Sequence, residues 1–150
     1  MLIKYKFQLE RALLDKLRKH YFECFGSFWL DKDEFIGQVP GKTEIIGNHV
    51  DHLGRMRICS NSDKLVSCYV VTNNTDTFNT NMDDFGKCSV DINNSKKREE
   101  EEGTSTATIR SIFTKLAEHN FCSLGFDAVI FFGISTGVSV SPSSVFKVVA

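Results

Sequence analysis

Several features that would place a chain of this length in a specialised class are missing from the sequence. Its 18 Lys and Arg balance 19 Asp and Glu to a formal net charge of -1, so no excess of positive charge recruits nucleic acid or anionic lipid. No apolar run approaches the roughly 20 residues of a membrane span. The N-terminus carries lysines but lacks the apolar core of a signal peptide. We therefore expect a cytoplasmic protein that binds neither nucleic acid nor membrane.

Cysteine pairs with metal-binding spacing are missing as well. None of the five cysteines belongs to a C-x-x-C pair, which argues against a structural zinc site; they are Cys24, Cys59, Cys68, Cys88 and Cys122. An odd, scattered set in a chain without a secretion signal is typical of reduced thiols. No internal repeat is visible, so 150 residues with 41% hydrophobic content predict a single globular domain, 1–150.

Hydrophobic periodicity predicts three helices. Apolar residues at helical spacing cover 7–25, with Gly26 as the C-terminal cap, and 106–119, where Arg110 is expected on the helix surface. Ser141 and Pro142 predict the start of the third helix, as its N-cap and first helical residue. Apolar residues follow them to the end of the chain.

The remaining patterns predict strands, one turn and one loop. β-branched and aromatic runs predict strands over 34–39, 64–72, 77–81, 88–92 and 126–132, the first of them ending at Pro40. Residues 73–76, Asn-Asn-Thr-Asp, predict a turn. Residues 93–104, in which three basic residues precede four glutamates, predict a solvated connection.

One Gly-punctuated segment carries polar side chains that can converge on a small volume. Residues 39–54 read Val-Pro-Gly-Lys-Thr-Glu-Ile-Ile-Gly-Asn-His-Val-Asp-His-Leu-Gly, and the candidates are Asn48, His49, Asp51 and His52. A carboxylate beside an amide and an imidazole suits the hydroxyls of a sugar. Alternatively, His49, Asp51 and His52 are metal ligands, or Asp51 caps a turn and His52 is a polar loop residue. The metal hypothesis lacks a second ligand cluster in the sequence.

A Gly- and Ser-rich segment over 133–144 precedes the third predicted helix. Backbone N–H groups at a helix N-terminus can bind phosphate, although an ordinary strand-to-helix turn has the same composition.

The first segment resembles the galactokinase signature of the GHMP sugar kinases, P-G-R-x-x-x-x-G-E-H-x-D-Y. It resembles more closely a bacterial galactokinase-like subgroup with G-N-H-x-D-H. The resemblance implies that Asp51 and Asn48 bind sugar hydroxyls, that His49 and His52 lie beside them, and that Lys42 neutralises charge during phosphoryl transfer. Lys42 replaces the signature Arg, which keeps the charge but loses the bidentate fork.

Aligned from residues 126–128, Phe-Asp-Ala, the second segment matches the GHMP phosphate loop, G-x-G-L-S-S-S-A, without gaps. Ser139 replaces the second Gly and Pro142 the middle Ser of that loop. The resemblance implies nucleotide binding by Gly137, Ser139, Ser141, Ser143 and Ser144, with Ser143 also a ligand of Mg²⁺.

The resemblance covers roughly residues 7–150 and implies an α+β fold of the ribosomal protein S5 domain 2-like type. Its sheet would be mixed and mostly antiparallel, with helices packed on one side. A galactose-binding segment, about 7–54, and a phosphate-loop segment, about 126–150, would serve ATP- and Mg²⁺-dependent phosphorylation of galactose or a related hexose at the anomeric hydroxyl. Because the family's catalytic base lies beyond the phosphate loop, we expect a C-terminally truncated domain that is inactive alone. The alternatives are a sugar-binding or sensing module without turnover and a decayed gene fragment.

Overall fold

The computed structural model describes residues 11–26, 32–47, 53–54, 56, 58–82, 86–94, 96, 98–119 and 124–133. Its two helices and five strands are α1 Arg11–Phe25, β1 Glu34–Ile46, β2 Ile58–Thr72, β3 Thr77–Met82, β4 Gly86–Asp91, α2 Ser105–Glu118 and β5 Phe126–Phe132. Short 3-10 turns, Ile92–Asn94 and Glu99–Glu101, lie in the connection from β4 to α2. The third predicted helix lies outside the described residues.

The strands form one sheet in the order β1-β2-β5-β3-β4. Neighbouring strands are antiparallel except β3 and β5, which are parallel. The α+β class and the mixed, mostly antiparallel sheet are therefore confirmed. β5 is last in the described sequence but lies in the middle of the sheet, so its residues need neighbours on both faces.

The two described helices pack on opposite faces of the sheet, which corrects the expectation that helices lie on one side. Against α2 lies a core that contains Val66, Cys68, Phe78, Met82, Cys88, Val90, Ile109, Phe113, Ala128 and Ile130. Against α1 lies a smaller core of Leu17, Tyr21, Tyr69, Val71 and Val129. Since alternate strand residues point to opposite faces, Cys68 faces α2 while its neighbour Tyr69 faces α1. Apolar residues occupy both odd and even positions of β2 and β5 because both faces of these strands are buried.

β1 does not end at Pro40 as predicted but continues to Ile46. Pro40 pairs with Leu65 and is followed by a register shift before Lys42 pairs with Asn61. Among the described strands β1 lies at an edge of the sheet, where the missing N–H of Pro40 is tolerated. β2 likewise begins earlier than predicted, at Ile58, and the two strands form a hairpin longer than either pattern indicated.

The ends of both helices have identifiable causes. Gly26 adopts φ +64 and its N–H donates to the carbonyl of Phe22 at 2.8 Å, which ends α1 at the predicted cap. Thr104 caps α2 by accepting the N–H of Ala107 at 3.2 Å. Arg110, expected on the surface of α2, is instead only 3% exposed. It binds the connection between β4 and α2, which is therefore partly packed rather than fully solvated.

Candidate functional site

The sequence singled out two candidate segments, 39–54 and 133–144. Pro40 of the first and Gly133 of the second lie at the same end of the sheet. Pro40 of β1 pairs with Leu65 of β2, and the N–H of Gly133, just after β5, donates to the carbonyl of Leu65 at 3.0 Å. These three residues therefore form a row across three strands, with the outer two separated by roughly 10 Å, two strand spacings. β5 ends at Phe132, one residue before this row.

The β1–β2 hairpin continues past this row, whereas β5 ends at it. We call residues 41–46 and 58–64 the projecting hairpin. The loop between its strands contains the predicted sugar ligands, and Lys42 lies two residues beyond Pro40. Large apolar side chains near its tip are more than half exposed; they are Ile45, Ile46 and Ile58.

Gly133 is required by the close approach of the neighbouring strand. A Cβ added there would lie 2.5 Å from the carbonyl oxygen of Leu65, closer than real Cβ atoms come to a backbone oxygen. Any side chain at this position would separate β5 from β2 or turn the following segment away. The glycine thus allows β2 and the end of β5 to approach each other closely.

Lys42 is the one predicted site residue that the structure describes, and it forms an ion pair. Its Nζ donates to Oε1 of Glu44 at 2.7 Å, with the two side chains 29% and 19% exposed. Residues two apart on a strand share a face, so β1 holds this pair together. The Lys42 charge is largely balanced locally, and a bound phosphate would have to compete with Glu44 for it.

The other predicted ligands lie outside the described residues: Asn48, His49, Asp51, His52, Gly137, Ser139, Ser141, Ser143 and Ser144. Their roles stay predictions. Within the described residues, no group of three or more His, Cys, Asp or Glu side chains could hold a metal ion.

A polar cluster beneath α1 was not anticipated from the sequence. Glu34 of β1 forms an ion pair with Arg18, and the hydroxyl of Tyr69 donates to its Oε2 at 2.6 Å. Burial acts to raise the pKa of the Glu34 carboxyl, but the hydrogen bonds from Arg18 and Tyr69 and the guanidinium charge outweigh it and lower that pKa. Burial, and then the bond to Glu34, raise the pKa of Tyr69. The cluster joins α1 to β1, the strand that carries Lys42.

Asp127 carries a buried carboxylate at the opposite end of the sheet from Gly133. Its Oδ1 accepts from the side-chain amides of Asn73 and Asn79, each at 2.8 Å, and the Tyr21 hydroxyl lies 3.5 Å from Oδ2. An aspartate inside the apolar run 126–132 is the one sequence signal for this cluster, because a buried carboxylate requires polar partners. The cluster orders the turn between β2 and β3.

No protein-family model matches the sequence, and no curated protein does. Among solved structures, the fold is similar to that of galactokinase from Lactococcus lactis complexed with galactose, with a TM-score of 0.72 at 19% identity, covering 90% of this chain and 34% of that one. It is also similar to mevalonate kinase from Methanococcus jannaschii, with a TM-score of 0.62 at 18% identity, covering 78% and 38%. A putative sugar kinase from Campylobacter jejuni is similar with a TM-score of 0.55 at 12% identity, and the match covers 76% of this chain and 38% of that one.

These similarities show the fold, that of the N-terminal domain of GHMP-family kinases. The chain spans about a third of the length of the solved kinases it matches. No helix in the described part of the chain is long and apolar enough to cross a membrane.

Proposed function

We propose that this chain is the sugar-binding domain of a galactokinase-like kinase. In this proposal, Asp51 and Asn48 bind hydroxyls of galactose or a related hexose, with His49 and His52 beside them. The loop over 137–144 binds ATP, with Ser143 as the protein's ligand for Mg²⁺. Hydroxyl and backbone donors of this kind suit phosphate and a hard cation. The bound Mg²⁺ would supply charge neutralisation for phosphoryl transfer from ATP to the anomeric hydroxyl.

The observation that carries the proposal is the position of Lys42 relative to Gly133. Lys42 lies on the projecting hairpin, two residues beyond the row that Pro40, Leu65 and Gly133 form. In the proposal, Lys42 is the cation between a sugar held by residues 48–52 and a phosphate held by residues 137–144. Phosphoryl transfer depends on such positioning and on charge neutralisation.

Binding without turnover is the form of this function that the residues favour. Lys42 is already paired with Glu44 at 2.7 Å, which reduces the charge available to a phosphate. Pro142 would remove a backbone donor from the predicted helix start that would hold the anion. Ser139 stands where the phosphate loop of GHMP kinases has a glycine. Losing a hydrogen bond to a charged group costs about 1.5 to 3 kcal/mol. We therefore propose sugar binding, weak ATP binding and no galactokinase activity of the 150-residue chain alone.

Calorimetric titration of the chain with galactose tests sugar binding. Asp51→Ala should weaken galactose binding more than tenfold, because a charged acceptor hydrogen bond is lost. Asp76→Ala is the matched control, since Asp76 is an exposed aspartate in the turn at the other end of the sheet. Equal galactose affinity of the Asp51 variant and wild type contradicts the sugar site, and absence of galactose binding by wild type supports the decayed fragment.

A coupled assay of ADP release with galactose, ATP and Mg²⁺ tests turnover separately. Galactose-dependent ADP release that survives repurification would show that the chain is an active kinase. The double reversion Ser139→Gly with Pro142→Ser should raise ATP affinity at least tenfold in a version extended at its C-terminus by the segment that follows the phosphate loop in GHMP kinases. If the unreverted extended protein binds ATP as tightly as the reverted one, the weak-nucleotide proposal is wrong.

A further inference from the structure

One region of the α1 face is left open by the packing of the helix. α1 packs mainly on β2 and β5, and no other described element covers the same face of β3 and β4. The strand residues there are polar: Asn79, Asn81, Lys87 and Ser89. Between them and the C-terminal end of α1 lies a cavity of about 330 Å³, large enough for part of a small molecule.

Cys24, near the end of α1, lines this cavity and is surrounded by groups that can act on its thiol. The side-chain amide of Asn81 donates to Sγ at 2.8 Å, and Nε2 of His20 lies 3.5 Å from the same sulfur. Nδ1 of His20 lies 3.8 Å from a carboxylate oxygen of Glu23. The edge-on contact of its ring with Phe131, 4.8 Å between centroids, restrains the imidazole.

These contacts form a nucleophile, a base and a group that orients the base. The imidazole of His20 is within reach of the thiol proton, and the Asn81 amide donates a hydrogen bond to the sulfur. The charged groups around the sulfur are Lys87 on β4 and, on α1 itself, Glu23, which also lies 3.9 Å from Lys19.

We propose that Cys24 is a thiol–disulfide exchange site for the small disulfide of a carboxylate-bearing thiol of the glutathione class. The thiolate of Cys24 attacks one sulfur of glutathione disulfide, the new S–S bond forms, and the original S–S bond breaks. His20 takes the Cys24 proton, and the leaving glutathione thiolate takes up a proton. Cys24 is oxidised to a mixed disulfide as one glutathione is released reduced. The cavity holds the peptide part, with Lys87 facing a carboxylate.

The test uses the reduced full chain in a Cys122→Ser background, incubated with glutathione disulfide, with adduct sites followed over time by peptide mass spectrometry. Cys59, which is more exposed than Cys24 and lies opposite Glu44 of β1 rather than beside an imidazole, is the internal control. Burial raises the pKa of the Cys68 thiol to about 12, so Cys68 should stay unmodified. We expect Cys24 to react at least threefold faster than Cys59. Faster modification of Cys59 would overturn the proposal.

Two variants separate thiol activation from recognition of the disulfide. His20→Gln should slow the reaction of Cys24 about tenfold with both glutathione disulfide and iodoacetamide, without changing Cys59. Lys87→Gln should slow the reaction of Cys24 with glutathione disulfide but not with iodoacetamide, because only the former carries carboxylates. Circular dichroism checks that both variants are folded. Unchanged Cys24 rates in the first variant contradict activation by His20, and unchanged rates in the second contradict recognition in the cavity.

Discussion

Arg110 of α2 holds both carboxylate oxygens of Glu101, with Nε–Oε2 and Nη2–Oε1 distances of 2.7 and 2.8 Å. Its Nη1 donates to the carbonyl of Asn94 at 2.6 Å. One buried guanidinium thus binds the connection between β4 and α2 at two points. A planar fork that matches a carboxylate in two places orders both partners.

Arg110→Met should therefore release this connection. The variant keeps an unbranched side chain in the helix but leaves Glu101 and the Asn94 carbonyl without their donor, so we expect faster tryptic cleavage after Lys96 and Arg98 and a lower melting temperature. Lys115→Met is the control, because Lys115 forms an exposed pair with Glu118 on the same helix. If both variants are cleaved at the wild-type rate, Arg110 does not order the connection.

The pair of Arg110 and Glu101 should make the free energy of unfolding depend on pH in the acid range. The hydrogen bonds from Arg110 lower the pKa of Glu101; burial opposes them, and the charges of Arg110 and Arg98 add to the lowering. A carboxyl whose pKa is lower in the folded state stabilises the fold above its ordinary pKa of about 4.3. This stabilisation is lost as pH falls through the lowered folded value.

We therefore expect Glu101→Gln to unfold at lower urea than wild type at pH 7, with the difference shrinking below about pH 4.3. Urea midpoints at a series of pH values measure it. Glu118→Gln, in the exposed pair with Lys115, should show little difference at any pH. If the urea midpoints of wild type and the Glu101→Gln variant differ by the same amount down to pH 2, the assigned carboxylate interaction is contradicted.

Asp127→Ala should destabilise the chain by about 3 kcal/mol, since the side-chain amides of Asn73 and Asn79 lose a buried charged acceptor. Asp127→Asn should recover more than half of that loss, because an amide oxygen can still accept both bonds. Urea unfolding followed by circular dichroism measures both. Equal stability of the alanine and asparagine variants would show that the two bonds contribute nothing measurable.

Gly133→Ala should cost about 1 to 3 kcal/mol, because the new Cβ would meet the Leu65 carbonyl oxygen at 2.5 Å. Gly37→Ala on β1 is the matched control, since a Cβ there has nothing within 4 Å and its φ is not positive. It should be neutral or stabilising, by up to about 1 kcal/mol. A Gly133 variant as stable as the Gly37 variant would contradict the close approach of β5 and β2.

Short-range patterns in the sequence were sufficient for most elements. The helical spacing over 7–25 and 106–119, the turn at 73–76 and the apolar run of β5 were confirmed within the described residues. The end of β1 was wrong because Pro40 breaks a central strand but is allowed at a sheet edge, and position in the sheet is not a local property. Arg110 was misplaced for a similar reason, since its partner Glu101 belongs to a connection that looks solvated in isolation.

The sequence by itself determined the α+β class and the types of most described elements, and it predicts which residues bind sugar and phosphate. Only the tertiary structure decided that α1 and α2 cover opposite faces, that Lys42 is paired with Glu44, and that Gly133 lies beside Leu65 of β2, the second strand of the hairpin. The physical reason is range. Side-chain period and cap chemistry act over a few residues, whereas strand order and register depend on contacts between segments far apart in the chain.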